Sequence, residues 1–501
     1  MTAHRRIVRT VALAAASTLA LAGCTAGSTS DDEAKTGVVV GLTGEPANLD
    51  FTTTAGSAIP QVLMNNVYEG LVKIDQEGRI QPLLATDWQV SDDRTTYVFE
   101  LADGVTFSNG DEFTADDVAF SIDRVKNDWT LSLKAQMDVV DRVEVVSDTE
   151  VRVVLGRPSN SWLFAMGTSV GAMFSEGGVD ALATDPVGTG PFTVEEFVQG
   201  DRIELAARDD YWGEAPGIES ATVRYFADAV AQTNALRAGD IDMAWNMQAP
   251  DLVSQFEAED FQVIDGTSTG EILLSMNNRV APFDDVRVRQ AVAYALDRQA
   301  ILDAAWGGYG TLIGAMVPPT DPYYEDLTGE YPYDPERAKA LLAEAGAEGV
   351  SVTFDVPTRP YANAVSEIVV DQLAAVGIDA TIRSAEFPAV WLDRVFTKHD
   401  FEMSVILATE ARDFATVFND PDYYIGYDNT RIAPIIAAAD QGTEEEFVDG
   451  MKEAVRIVTE DAAAVPLFLF PNLVVADAGL TGIAGNAVTE SMDLTGLSWA
   501  D

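Results

Sequence analysis

Between Asp334 and Ile382 the chain carries a pattern that few folds accept. Asp334 is a good helix N-cap, and Pro335 suits the first helical position, where no backbone N–H is needed. Ala338, Leu341, Leu342 and Ala345 recur at helical spacing, and Gly346 ends the run. Val350, Val352, Phe354 and Val356 then alternate as a strand. A second helix carries Val365, Ile368, Val369, Leu373 and Val376 on one face and stops at Gly377. Ile378, Ala380 and Ile382 form the next strand. Strand, helix and strand at this spacing imply a right-handed crossover and a parallel pair. The fold class is therefore α/β, with antiparallel excursions elsewhere.

Those excursions are readable too. Tyr97, Phe99 and Leu101 alternate with Thr96, Val98 and Glu100, which predicts a strand. Asp103 and Gly104 turn the chain, and residues 105–107 are expected to return as the second arm of a hairpin. Thr114 and Asp117 fit a capping box ahead of a helix with Val118, Ala119, Ile122 and Val125 on its apolar side. Asp284 and Asp285 can cap a helix bearing Val288, Ala291, Val292, Ala295 and Leu296. Residues 38–40 open a buried strand.

The N-terminus has the layout of a secretory leader. His4, Arg5, Arg6 and Arg9 precede an apolar run over 11–21, too short to span a bilayer as a helix. Arg5-Arg6 hints at twin-arginine export, but general secretion fits the flanks better. Leu-Ala-Gly-Cys at 21–24 resembles the bacterial lipobox, whose cysteine is diacylated and becomes the first mature residue. On that reading 1–23 is a signal peptide, 24–37 a polar, flexible tether, and Cys24 the lipid anchor, since two acyl chains suffice for stable attachment. The competing reading is an ordinary signal peptide with a chance cysteine.

Composition excludes several chemistries. The 501 residues carry a formal net charge of −50, which repels nucleic acid and anionic lipid. The lipid rather than electrostatics would therefore hold the protein at a membrane. Cys24 is the sole cysteine, and only His399 remains beyond the leader. A zinc site needs more such ligands, and no phosphate-binding Gly-rich loop or His-Glu-x-x-His occurs. No metal and no cofactor is expected. Carboxylate-only catalysis, as in glycosidases, stays open.

A series of segments in order then carries a resemblance: GEPANLD at 44–50, NVYEGLV at 66–72, PLLATDW at 82–88, FTADDV at 113–118, GTGPF at 188–192, DDYWG at 209–213, AGDID at 238–242, PFDDVRVRQA at 282–291, YDPERA at 333–338 and LLAEAG at 341–346. Together they resemble family 5 of the extracellular solute-binding proteins, the peptide- and nickel-type binding subunits of ABC importers. Most of these residues read as scaffold: turn glycines, capping aspartates and core aromatics. The resemblance implies a two-lobe periplasmic-binding-protein-like fold, type II, with an extra subdomain. Lobe one would cover 38–270, with an insertion at about 60–180. Lobe two would cover 271–465, and 466–501 would return to lobe one. Residues 272–277 and 466–470 are the expected crossings.

It also implies a ligand, an ABC permease with its ATPase, a place on the outer face of a bacterial cell membrane, and a monomeric binding protein. In peptide-binding relatives an aspartate holds the ligand's amino terminus. Asp413, in EARDF at 410–414, is the matching residue, with NDPDYY at 419–424 behind it. The tryptophan common just upstream in those relatives is absent, and Glu410 and Arg412 stand nearby. Asp413 thus either anchors an ammonium group, or caps a helix or pairs with Arg412. Arg412 is alternatively a carboxylate clamp. Trp245, Asn246, Trp306, Trp391, Tyr423 and Tyr424 are candidate pocket walls, and Phe51 and Thr54 follow the first strand toward the cleft. For each aromatic, core packing is the competing role. His399 reads as a solvated turn residue; a single histidine gives a nickel site little support, while a metal chelated by the ligand itself stays open. Three functions follow in order: a lipid-anchored binding protein for an oligopeptide or similar solute, a carboxylate-based glycosidase, and a sensor lipoprotein without transport.

Overall fold

Two six-residue strands buried at every position, Glu271–Met276 and Ala464–Leu469, pair in one of the two large sheets. The computed structural model describes residues 35–256 and 260–500. Cys24, the leader and all of the tether before Lys35 lie outside the described residues.

A seven-stranded sheet runs in the order Phe261–Gly266, Asn472–Asp477, Met243–Ala244, Gly37–Leu42, Ser220–Tyr225, Arg202–Ala207, Phe192–Val198. Gly37–Leu42 lies parallel to both of its neighbours, and the other pairs are antiparallel. A five-stranded sheet runs Asp379–Ala385, Ser351–Pro357, Met403–Ala408, Glu271–Met276, Ala464–Leu469. Here Ser351–Pro357 and Asp379–Ala385 form the parallel pair expected from the sequence, joined by helix Pro360–Val376. Gly346 and Gly377 both end their helices in the left-handed region, at φ 70° and 93°. Ile382 sits on the edge strand and is exposed rather than buried.

Two short connections, 267–270 and 470–471, join these sheets. The strand Ala464–Leu469 pairs with Glu271–Met276, so residues 466–469 belong to the five-stranded sheet. The return to the seven-stranded sheet starts at Asn472, a few residues later than the apolar run suggested. We call the two sheets with their helices the first and second lobe.

Within the first lobe a four-stranded antiparallel sheet runs Ala85–Val90, Thr96–Leu101, Glu150–Leu155, Val140–Ser147. This corrects the hairpin expected at 105–107. Thr96–Leu101 pairs with strands on both sides, and residues 105–107 instead close a tight loop on 111–113, with Phe113 N–H donating to the Val105 carbonyl. A local turn signal cannot tell a hairpin from a loop whose neighbouring strand comes from farther away. The capping box forms as expected: Asp117 accepts from the backbone N–H of Thr114 ahead of helix Ala115–Asp128.

The family-like segments hold one another in place. The buried Glu69 of NVYEGLV accepts from Tyr211 Oη at 2.7 Å and Trp212 Nε1 at 3.0 Å, both from DDYWG. Asn66 ties the same turn to the C-terminal segment through the Met492 carbonyl and the Leu494 N–H. GTGPF packs against it so closely that a Cβ on Gly188 would lie 1.9 Å from the Val67 carbonyl oxygen. Glycine is required there by space, not by backbone angle.

Candidate functional site

The strand Glu271–Met276 is buried at all six positions, yet it begins with a carboxylate. Glu271 is 1% exposed, and its Oε2 has no hydrogen-bond partner. Burial pushes its carboxyl well above the usual range, and the neighbouring charges of Asp413, Asp321 and Glu410 push it further. A buried, unpaired carboxylate is costly, so burial favours its neutral form, and groups perturbed in this way cluster at functional sites.

The loop after strand Met403–Ala408 brings the other charges. Thr269 Oγ1, in the connection between sheets, donates to the Thr409 carbonyl and fixes the start of this loop. Arg412 takes φ 56°, a left-handed conformation that an arginine seldom adopts. Its guanidinium pairs with Asp321 at 3.6 Å and lies 3.6 Å over the ring of Phe164, from the first lobe. Burial raises the Asp321 carboxyl to about 6, with Arg412 pulling it back down. The expected alternative of an Arg412–Asp413 pair is thereby corrected: Arg412 is engaged elsewhere. Its role as a carboxylate clamp loses ground for the same reason, because Asp321 already occupies the guanidinium.

Asp413 stands at the N-cap of helix Phe414–Phe418, but its side chain makes no capping hydrogen bond. Among the described residues no cationic side chain pairs with it. It is 6% exposed, and burial, then Glu410 and Asp321, hold its carboxyl well above the usual range.

Between the lobes lies a cavity of about 240 Å³. The second lobe contributes Glu410, Ala411, Arg412, Ala415 and Thr416. The first contributes, among others, Asn65, Trp162, Phe164, Thr168, Ser169 and Glu490. Its volume is just under the roughly 300–1,000 Å³ of common ligand pockets and suits a short ligand. Trp162 Nε1–H is buried and unpartnered in this wall. Burial, reinforced by Glu410, lifts the Glu490 carboxyl to about 7.

A second contact crosses between the lobes at the edge of the cavity, which Ser161 also lines. Asp440 accepts from Arg157 Nη1 at 2.5 Å, Ser159 Oγ at 3.0 Å, Ser161 Oγ at 2.7 Å, and the backbone N–H groups of Asn160 and Ser161. Burial works against its charge, but these donors win and keep the carboxyl below the usual range.

The expected site residues divide. Glu410 and Arg412 line the cavity, with Asp413 beside them in sequence and charge. Tyr423 and Tyr424 pack tilted with ring centroids 5.1 Å apart, and burial raises both phenols, with the carboxyls of Asp413 and Glu410 adding to it. Trp391 packs edge-on to Tyr424 at 5.7 Å, but its Nε1 is spent on Ser404 Oγ, so it supports the tyrosines from the core. The rest are corrected. Trp245 is a core residue of the first lobe, and Asn246 behind it turns with φ 50°. Trp306 packs on Phe470 at 4.7 Å in the second core. Phe51 packs among Tyr68, Trp129 and Phe174, and Thr54 bonds locally to Asn48. The three aromatics face cores, and neither Asn246 nor Thr54 lines the cavity. His399 sits in a turn at φ 53° against Arg279.

Sequence reasoning missed Glu271, Glu490, Asp321 and Phe164. Only Glu271 left a signal, as the one charge in the apolar run EILLSM. Among the described residues no group of three or more His, Cys, Asp or Glu could hold a metal ion, and no helix is long and apolar enough to cross a membrane.

Comparison with known proteins bears on this geometry. Residues 79–430 match the model for bacterial extracellular solute-binding proteins, family 5 Middle. The chain is 31% identical over 369 residues to the dipeptide-binding protein of Escherichia coli, covering 67% of this chain and 68% of that one. It is also 31% identical over 346 residues to haem-binding protein A of Haemophilus influenzae, covering 62% of this chain and 63% of that one. Among solved structures, the periplasmic binding protein DppA of Helicobacter pylori, in complex with peptide STSA, superposes with TM-score 0.81 at 22% identity. That likeness covers 93% of this chain and 98% of DppA, and speaks for the fold.

Proposed function

Because the chain belongs to family 5 of the bacterial extracellular solute-binding proteins, a family of binding proteins rather than of enzymes, we propose that it captures a short peptide or similar solute between its lobes for an ABC importer. The observation that carries this reading is the cavity walled by both lobes, lined by Glu410 and Arg412 from the segment that also holds the buried carboxyl of Asp413. A buried carboxylate without a protein cation is suited to the ammonium group of a peptide. Arg412, tied to Asp321 and Phe164, shapes the wall. The two connections at 267–270 and 470–471 are the hinge, since only they need to bend for the lobes to part. The ligand-binding set is Asp413, Glu410 and Arg412, with Tyr423 and Tyr424 behind them. The lobes divide at those connections, with the 85–155 sheet as part of the first-lobe insertion.

Cys24 anchors the mature chain by lipid to the outer face of the cell membrane, beside the permease and ATPase it serves. The protein acts as a monomer. Thermal-shift screening against peptide and sugar libraries tests the ligand class. A clear peptide hit is expected; silence toward peptides with a sugar or opine hit overturns it. Cys24→Ala should release the protein from the membrane fraction, and retention there would end the anchor reading.

A further inference from the structure

A smaller space of about 130 Å³ adjoins the cavity between the lobes, and its wall comes from the first lobe alone. Asn65, Thr489 and Ser491 line both spaces and so form the partition between them. Beside these, Ile74 and Val488 of the smaller space pack with Phe164 of the larger. At about 240 Å³ the larger cavity falls short of the roughly 300 Å³ at which common ligand pockets begin, and with the smaller space added it passes that mark.

Asn65 is set apart within the partition. Every other residue from Val62 to Val72 is buried, and Asn65 alone is half-buried. Its backbone turns at φ 65°, a region asparagine adopts more readily than most residues, and its N–H donates to the Tyr68 carbonyl at 2.8 Å. The next residue, Asn66, is tied to the Val62 and Met492 carbonyls, so the mount is rigid. Ser491 spends its hydroxyl on the Met64 carbonyl, and Thr489 Oγ1 accepts from the Ser491 N–H. The Asn65 side-chain amide has no hydrogen-bond partner among the described residues. A primary amide offers an acceptor and a donor side by side, which matches one peptide group. An unspent polar group on a rigid mount is suited to orienting a ligand.

Resting on the peptide reading above, we infer that the ligand spans both spaces and that Asn65 holds one of its peptide groups at the partition. Two extended residues span about 7 Å, close to the width of a rounded space of about 240 Å³, so a dipeptide fills the larger cavity and a third residue crosses into the smaller one. The site therefore favours peptides of more than two residues.

Calorimetric titration of the purified protein with Ala-Ala, Ala-Ala-Ala and Ala-Ala-Ala-Ala reads the span. Wild type is expected to bind the tetrapeptide at least tenfold tighter than the dipeptide. Asn65→Gly keeps the left-handed backbone, which glycine adopts freely, and removes the amide. It should shrink the tetrapeptide's advantage to below threefold. The length series in wild type stands whether or not the variant folds well. A tetrapeptide that binds wild type no tighter than the dipeptide overturns the two-space site and leaves the peptide reading standing. A tenfold advantage that Asn65→Gly keeps overturns the role of Asn65. Silence from all three peptides overturns both the inference and the peptide reading.

Discussion

Glu490 makes the acidic cleft measurable, because its carboxyl is lifted from 4.5 to about 7 in the folded protein. Between those values the folded chain holds a proton that the unfolded chain has released. The stabilising effect of that proton is complete below about 4.5 and lost as pH rises through about 7. At about 1.4 kcal/mol per unit, the ligand-free protein should lose roughly 3 kcal/mol over this window from Glu490 alone. Ligand affinity should move the opposite way. The ammonium group of a peptide in the cavity that Glu490 lines favours the ionised form, so binding expels the proton and tightens as pH rises, by at most about tenfold per unit, levelling off above about 7. Urea unfolding at pH 5, 6, 7 and 8 reads the first slope. Calorimetry in buffers of different ionisation enthalpy reads the second as protons released. Asp321, Glu271 and Asp413 also titrate, and comparison of wild type with Glu490→Gln removes their share. If the variant keeps both slopes, Glu490 is not the group and the assignment fails.

Other consequences are separable. Asp413→Asn should weaken binding of peptides with a free amino terminus at least tenfold while leaving N-acetylated peptides no worse, measured by calorimetry; equal losses for both would argue against an ammonium anchor. Asp440→Ala removes the acceptor for Arg157, Ser159, Asn160 and Ser161 across the lobes. It should raise the solution radius of gyration of the ligand-free protein and weaken ligand about tenfold, and an unchanged scattering profile would show that this contact does not hold the lobes together. Asp355 is fully buried between Arg383, which grips it with both Nε and Nη2 at 2.8 Å, and Arg394 at 3.1 Å. Asp355→Ala should cost about 3 kcal/mol in urea unfolding, the low end for a broken buried pair, because both guanidinium groups reach solvent. Gly188→Ala puts a methyl group into the Val67 carbonyl and should destabilise by more than about 4 kcal/mol; a normal midpoint would contradict the packing.

What could be read in advance followed local physics. Asp334, Asp285 and Thr114 cap the helices assigned to them, because a cap involves neighbours in the chain. The parallel pair of Ser351–Pro357 and Asp379–Ala385 followed from handedness and spacing. The hairpin at 105–107 failed because pairing partners are chosen across the sheet: Thr96–Leu101 took Glu150–Leu155, about fifty residues on. Aromatic type misled at Phe51, Trp245 and Trp306, since the same ring fills a core or walls a pocket equally well. Asp413 was legible only through its place in a family-like stretch, and nothing local separated pairing with Arg412 from pairing with a ligand.

The sequence by itself therefore determined the α/β class, the helix limits, the family, and a strongly acidic chain with one cysteine. These rest on periodicity, capping and composition, which act over a few residues or over the whole count. Only the tertiary structure decided where the acidity is concentrated. Glu271, Glu410, Asp413 and Glu490 are scattered across some two hundred and twenty positions of the chain. Two sheets sharing two connections bring Glu410 and Glu490 into one cavity wall and bury Glu271 and Asp413. Whether a carboxylate is a solvated surface charge or a buried one awaiting a cation depends on what surrounds it, and that is a property of the fold.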